Sequence, residues 1–270
     1  MAKKRRFTKD DMELTLLALP TVVWYILFTY LPMFGIIVAF KRYRPLPDSN
    51  FLVSLIKSQP VGIDNFKFLF ATPDAWIMFR NTVLYNCVFI ILGIVIPVTL
   101  AIMLSNLHSK RLAKGYQTII FLPYFLSWVV VSYFVFSFLS ADKGIANQIM
   151  NMLGKESVQW YMEKKYWPYI LIFLNLWKGM GYGMVVYLAS ISGIDKMLYE
   201  AAIIDGASRW QQVKYITLPM LKNMIIIMFI LSVGRIFSSD FGLFYQVPRN
   251  SGPLVDVTQT IDVYVYKALM

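Results

Sequence analysis

The sequence predicts an all-α polytopic membrane bundle, and three observations carry that reading. Apolar residues make up 58% of the chain and charged residues only 15%, too greasy a balance for a soluble domain of 270 residues. Five runs match the roughly 20 apolar residues that a helix needs to cross a bilayer. The connections between them are short or moderate in length, and several are dense in Lys and Arg.

The spans are expected at about 14–40, 82–105, 115–141, 166–190 and 220–236. The first two carry no charge, the fourth is interrupted by Lys178, and the fifth has Lys222 near its start, where a long side chain snorkels to the interface. Pro20, Pro32, Pro97 and Pro123 are compatible with these helices, because neighbouring groups in a membrane bundle re-satisfy the carbonyls that proline frees. Lys3, Lys4, Arg5 and Arg6 resemble the basic start of a signal peptide, but the apolar run behind them is too long and no small-x-small site follows. Residues 1–13 therefore read as a basic cytoplasmic N-terminus and 14–270 as one transmembrane domain. The short basic segments Met1–Glu13, Asn106–Lys114 and Ile191–Tyr215 then fall inside. Beyond Ile236, Asp240, Arg249, Asp256, Asp262 and Lys267 interrupt any further span.

Composition also excludes several functions. The net charge of +11 suits nucleic acid, but the aromatics sit in apolar runs rather than alternating with Lys and Arg, so no nucleic-acid partner is expected. One cysteine, Cys87, and one histidine, His108, support no disulfide framework, no metal site and no His-based hydrolase. There is no Gly-x4-Gly-Lys-Ser/Thr phosphate loop, so the chain has no evident means of binding ATP itself. No catalytic residue and no cofactor is assigned.

The stretch between the fourth and fifth spans, 191–219, reads as a helical elbow. Asp195 can cap a helix over Lys196–Ile204, and Gly206 is suited to positive φ at its end. Ser208 and Gln211 match a capping box for a second short helix, and Pro219 fits the first turn of the fifth span. Met197, Ala201 and Ile204 share a stripe flanked by Leu198 and Ala202, while Glu200 and Asp205 offer carboxylates. On these residues alone the stripe suits either a docking partner or the protein's own membrane helices.

Glu200-Ala201-Ala202, three residues, Gly206, nine residues and Ile216-Thr217-Leu218-Pro219 resemble the EAA loop of ABC importer permeases at every fixed position. The wider chain is similar to the oligo- and polysaccharide branch of that superfamily. The matching stretches are Phe40–Pro45, Val61–Phe66, Arg80–Thr82 and Asp240–Gly252. The resemblance implies that Glu200, Ala201, Ala202, Gly206, Ile216, Leu218 and Pro219 couple the permease to an ATPase. It implies as partners a second homologous permease, two ATP-binding subunits that hold ATP and Mg, and an extracytoplasmic sugar-binding protein, all at the cytoplasmic membrane. It also implies a sixth span, in a chain that continues past Met270.

Candidate substrate-pathway residues are Lys178, near mid-depth in the fourth span, Trp177, Tyr182 and Tyr133, whose rings can stack on sugars, and Arg235. For Lys178 the alternative is a bond to backbone carbonyls or to the partner permease. Gly179, Gly181 and Gly183 point to close helix contact. The basic stretch Lys41–Arg44 suits an acidic glycan or lipid headgroups. An ion-coupled transporter would need carboxylates within the spans, and none has one. A membrane scaffold or enzyme of glycan export or synthesis would need a reactive cluster in a loop, and none is evident.

Overall fold

The computed structural model describes residues 8–47 and 49–270; Lys3, Lys4, Arg5 and Arg6 of the expected basic N-terminus lie outside these. Among the described residues four helices are long and apolar enough to cross a membrane, and a bent pair raises the number to five. The chain divides into two compact units, 1–74 and 75–270.

The first unit begins with the Lys9–Phe40 helix, which starts five residues before the expected Leu14. The Thr8 hydroxyl accepts the Asp11 N–H and the Asp11 carboxylate accepts the Thr8 N–H, a reciprocal cap that extends the helix through polar residues. Just before Leu31-Pro32 the helix widens into a π turn over Ile26–Tyr30, with the Leu31 N–H reaching back to the Ile26 carbonyl. Proline has no N–H and its ring crowds the preceding turn, so one extra residue in that turn relieves the clash. No side chain of this helix is buried. A two-residue ladder follows, Lys41–Arg42 against Gln59–Pro60, enclosing a helix over Phe51–Lys57. Lys41 Nζ donates to the Leu55 and Ile56 carbonyls at 2.8 and 3.3 Å, capping that helix. The Asn65 side-chain amide ties the Asp64–Ala71 helix to the carbonyls of Ala39 and Lys41, both at 2.9 Å. Lys67, hydrogen-bonded to Asp64 at 2.7 Å, holds that carboxyl below its usual range.

The second unit opens with Pro73–Ser105, which begins nine residues before the expected Thr82 and runs through Pro97 unbroken. The expected third span, 115–141, is not one helix. Lys110–Phe125 and Trp128–Leu139 meet at a bend of 98°. Pro123 tightens the chain into a 3-10 turn at Leu122–Phe125, Leu126 and Ser127 are extended, and the Ser127 hydroxyl caps the new helix by accepting the Val130 N–H. A short helix, Ile145–Met152, presents buried Asn147, whose amide bonds the Ala141 and Val158 carbonyls and accepts from Val158 N–H and Trp160 Nε1. Trp167–Ser192 is the fourth span.

The fifth span also departs from expectation. Pro219 stands in the first turn of the α-helix Leu218–Val233, as expected, but helical backbone already begins at Arg209 and leads in through a π turn, so the span covers Arg209–Val233 rather than starting near Met220. The π turn Val213–Thr217 directly precedes Leu218-Pro219, with the Leu218 N–H bonded to the Val213 carbonyl, the same device as in the first span. The segment beyond it, read from sequence as a mixed outer stretch, holds much of the core. Leu243, Phe244, Val247, Leu254 and Val263 pack with Tyr85, Val131, Trp167 and Leu171. In lipid, apolar burial alone gives little net gain, so close packing and satisfied polar groups must hold this region. Asn81 donates to the Asp256 and Gln259 carbonyls, each at 3.0 Å, Tyr85 to Val257 at 2.9 Å, and Thr82 Oγ1 accepts the Ile261 N–H at 3.0 Å. A second cluster joins Val98, Ala101 and Leu104 to Met184, Tyr187, Ile191 and Leu221. Gly181 and Gly183 serve the close helix contact that the sequence suggests: a Cβ on Gly181 would strike the Ile120 backbone, and one on Gly183 would crowd Pro97. Gly179 faces open space.

Candidate functional site

Two groups of residues in the second unit carry the functional argument. The first is the elbow. Its helix spans Lys196–Ile204, as the capping signals require, and the Asp195 carboxylate accepts the Met197 N–H at 2.9 Å. Gly206 has φ of +78°. Its N–H bonds the Ile203 carbonyl at 3.0 Å, and the Ala207 N–H bonds the Ala202 carbonyl at 2.8 Å, the paired bonds of a Schellman ending. Ser208 and Gln211 then exchange hydrogen bonds as a capping box, turning the chain directly into Arg209–Val233. Two long-range bonds clip the elbow in place. Tyr199 and Thr217 share a hydroxyl–hydroxyl contact of 2.9 Å, and Arg209 reaches His108 Nε2 at 2.9 Å.

The elbow's apolar face is left open. Met197 is 71% exposed, Ile204 86% and Trp210 72%, so these side chains are not covered by the chain's own spans. Glu200 and Ala201 are exposed on the same short helix and Ala202 is half-buried. Ile216 is half-buried within the π turn, while Leu218 and Pro219 are exposed just after it.

The second group lies at the break in the bent span. Lys178 Nζ donates to the Tyr124 carbonyl at 3.2 Å, an acceptor at the helix break, and sits 5.5 and 5.2 Å from the ring centroids of Tyr124 and Trp128. The backbone-carbonyl alternative for Lys178 is thus realised, and the same ammonium lies against two rings. Tyr182 stacks on Tyr124 at 5.2 Å. Trp128 Nε1 donates to Asp240 at 2.6 Å, and the other Asp240 oxygen accepts the Gly242 N–H. Gly242 is packed so tightly on Trp128 that a Cβ would overlap the indole.

The remaining sequence candidates do not join this cluster. Trp177 lines an apolar cavity of about 680 Å³ with Val131, Phe134 and Leu174. Tyr133 instead faces Arg249, whose guanidinium also lies 4.1 Å from the Phe136 ring. Arg235 is exposed, with no side-chain hydrogen bond or ion pair among the described residues. Sequence reasoning missed Tyr124 and Trp128 as partners of Lys178, and Asp240 as the partner of Trp128. The available signal was Pro123 followed by Ser127, a stop and a cap four residues apart. It also missed the consecutive left-handed residues Arg249 and Asn250, φ +54° and +49°.

Residues 93–239 match the family described as binding-protein-dependent transport system inner membrane component. Protein LplB of Bacillus subtilis is 31% identical over 96% of this chain and 79% of its own length. The polygalacturonan/rhamnogalacturonan transport system permease protein YteP, from the same organism, is 31% identical over 98% of this chain and 81% of its own. A chain in the crystal structure of a bacterial ABC transporter involved in import of the acidic polysaccharide alginate superposes with a TM-score of 0.83. It is 31% identical and the match covers 97% of this chain and 85% of that one.

Proposed function

Because the chain belongs to the family of binding-protein-dependent transport system inner-membrane components, we propose that it forms one half of the translocation pathway of an ATP-driven importer of oligo- or polysaccharide. Hydrolysis takes place on two separate ATP-binding subunits, which hold ATP and Mg. A second homologous permease supplies the other half of the pathway, and an extracytoplasmic binding protein delivers the sugar. Likeness to sugar-transport permeases, and to an importer also crystallised in complex with a periplasmic protein holding alginate pentasaccharide, supports the substrate class and the delivery protein.

The observation that carries the coupling role is the elbow itself. An open apolar face with an adjacent carboxylate, Glu200, is continuous through the Schellman turn with an unbroken helix from Arg209 to Val233. A partner that grips Met197, Ala201 and Ile204 moves a stiff lever, because the Tyr199–Thr217 contact ties the gripped helix to the foot of that span. Transport then follows from switching between two rigid arrangements. Lys178 and Tyr182, beside Tyr124 and Trp128, form the pathway surface suited to sugar, with aromatic faces and one cation. The distribution of Lys and Arg supports an N-terminus and elbow in the cytoplasm, with Lys41–Asn81 and the segment after Phe237 outside.

Glu200→Lys reverses the charge beside the docking face without touching a buried group. It should leave membrane insertion intact and abolish ATP-dependent uptake; uptake at the normal rate would remove the elbow from the coupling mechanism.

A further inference from the structure

The first unit carries a basic cleft that the coupling and pathway roles do not use. It measures about 320 Å³ and is lined by Arg42, Arg44, Lys57 and Gln59, with Leu46, Ser54 and Ser58 at its base. Arg42 and Arg44 are two apart on an extended stretch and so share a face, and Gln59 stands opposite Arg42 in the two-residue ladder. Lys57 ends the Phe51–Lys57 helix.

The wall of this cleft is braced and its charged heads are not. The Ser58 hydroxyl accepts the Arg44 N–H at 3.4 Å and donates to the Ser54 carbonyl at 2.6 Å, while the Ser54 hydroxyl accepts the Leu46 N–H at 3.2 Å. Lys41 is committed to the helix carbonyls. Among the described residues, Arg42, Arg44 and Lys57 form no salt bridge and no side-chain hydrogen bond, and the nearby Asp64 carboxylate is taken by Lys67. Three cations held around one cleft repel each other until an anion enters.

We propose that this cleft binds a carboxylate of an acidic saccharide chain, an inference that rests on the carbohydrate reading above and narrows it to acidic substrates. A guanidinium presents a planar fork of donors matched to a carboxylate, and two of them flank one ammonium here. A neutral sugar would find the wrong complement. Its hydroxyls need acceptors as well as donors, and among the exposed lining side chains Gln59 alone offers an acceptor, since Ser54 and Ser58 are buried. Because the backbone is already fixed, the ordering needed on binding is confined to the side chains.

The test is calorimetric titration of the purified full chain, in nanodiscs of zwitterionic phosphatidylcholine, with an oligogalacturonate and with a neutral malto-oligosaccharide of equal length. The native chain should prefer the uronate, with affinity falling as salt rises. Arg42→Gln/Arg44→Gln/Lys57→Gln should weaken uronate binding by about tenfold or more and leave the neutral sugar unchanged. Arg44→Gln and Lys57→Gln alone, both at exposed positions, should each give part of that loss, which guards against misfolding of the triple variant. No uronate binding by the native chain, or equal affinity in native chain and variants, would overturn the assignment. So would unchanged uronate binding with loss of adhesion to phosphatidylglycerol vesicles alone, which would make the cleft a lipid-headgroup site. A chain that binds uronate here yet never engages an ATPase would overturn only the importer reading.

Discussion

Gly206→Ala tests the elbow where its geometry is least forgiving. At φ +78° an L-residue with a Cβ is disfavoured by about 1–2 kcal/mol. No atom lies within 4 Å of the Cβ position, so the penalty is purely conformational. The alternative is for residue 206 to revert to negative φ, which breaks the bonds to the Ile203 and Ala202 carbonyls at about 0.5–1.5 kcal/mol each. The two bonds together cost about 1–3 kcal/mol, so the strained left-handed turn at about 1–2 kcal/mol is the cheaper route, and it shifts the elbow's population against the docking form by a factor of about 5–30. Initial rates of ATP-dependent uptake in proteoliposomes, at equal amounts of assembled transporter, should fall by a comparable factor. Gly206→Asn should be milder, because Asn tolerates the left-handed region. Gly206→Pro, which fixes φ near −65° and removes the N–H, should abolish uptake while leaving the chain in the membrane. Native rates in Gly206→Pro would refute the reasoning, since no Schellman turn can form there.

Asp195→Ala removes the cap on the Met197 N–H and should lower the stability of the elbow by about 1 kcal/mol, seen as faster amide exchange across Lys196–Ile204 with the spans unaffected. Lys178→Met should strip the Tyr124 carbonyl of its ammonium donor and reduce uptake, while Arg235→Gln, at a side chain with no partner among the described residues, should change uptake far less; equal effects would argue against the cluster as the pathway surface. Asn81→Ala leaves the Gln259 carbonyl without its side-chain donor and the Asp256 carbonyl with Arg80 alone, and should destabilise the second unit by about 1–3 kcal/mol, measured as a lower Tm in detergent. Burial pushes the Tyr161 phenol up to about 12 against the opposing pull of Arg249, so the folded state favours the neutral form. Its contribution is fully present below the unfolded value of about 10 and is lost as pH rises through about 12, and Tyr161→Phe should blunt that alkaline loss in thermal melts.

How much of this was legible in the sequence depended on whether the controlling interactions were local. The elbow helix could be bounded to the residue because Asp195, Gly206, Ser208 and Gln211 act within four positions of themselves. The first, second and fourth spans needed only a run of apolar residues. The bent third span was not legible, since Pro123 alone does not distinguish a tolerated kink from a break. The acceptor at that break is met by Lys178, 54 residues away. Pro219 marked the first turn of Leu218–Val233 but not the helix before it, because the π turn at Val213–Thr217 absorbs the missing N–H and joins the span back to Arg209. The segment after Ile236 read as a mixed outer stretch because its charges are visible in sequence. Its hydrogen bonds to Asn81, Thr82 and Tyr85, more than 170 positions distant, are not. Of the pathway candidates, Lys178 and Tyr182 meet around Tyr124, whereas Trp177, Tyr133 and Arg235 face other surroundings.

The most direct measurement is affinity purification of this chain from detergent-solubilised native membranes, alongside the Glu200→Lys form, with co-purifying proteins identified by mass spectrometry. The account predicts that the native chain brings with it an ATP-binding subunit and a second permease, and that Glu200→Lys keeps the permease but loses the ATPase. Recovery of the native chain alone, or with enzymes of glycan synthesis, would contradict it.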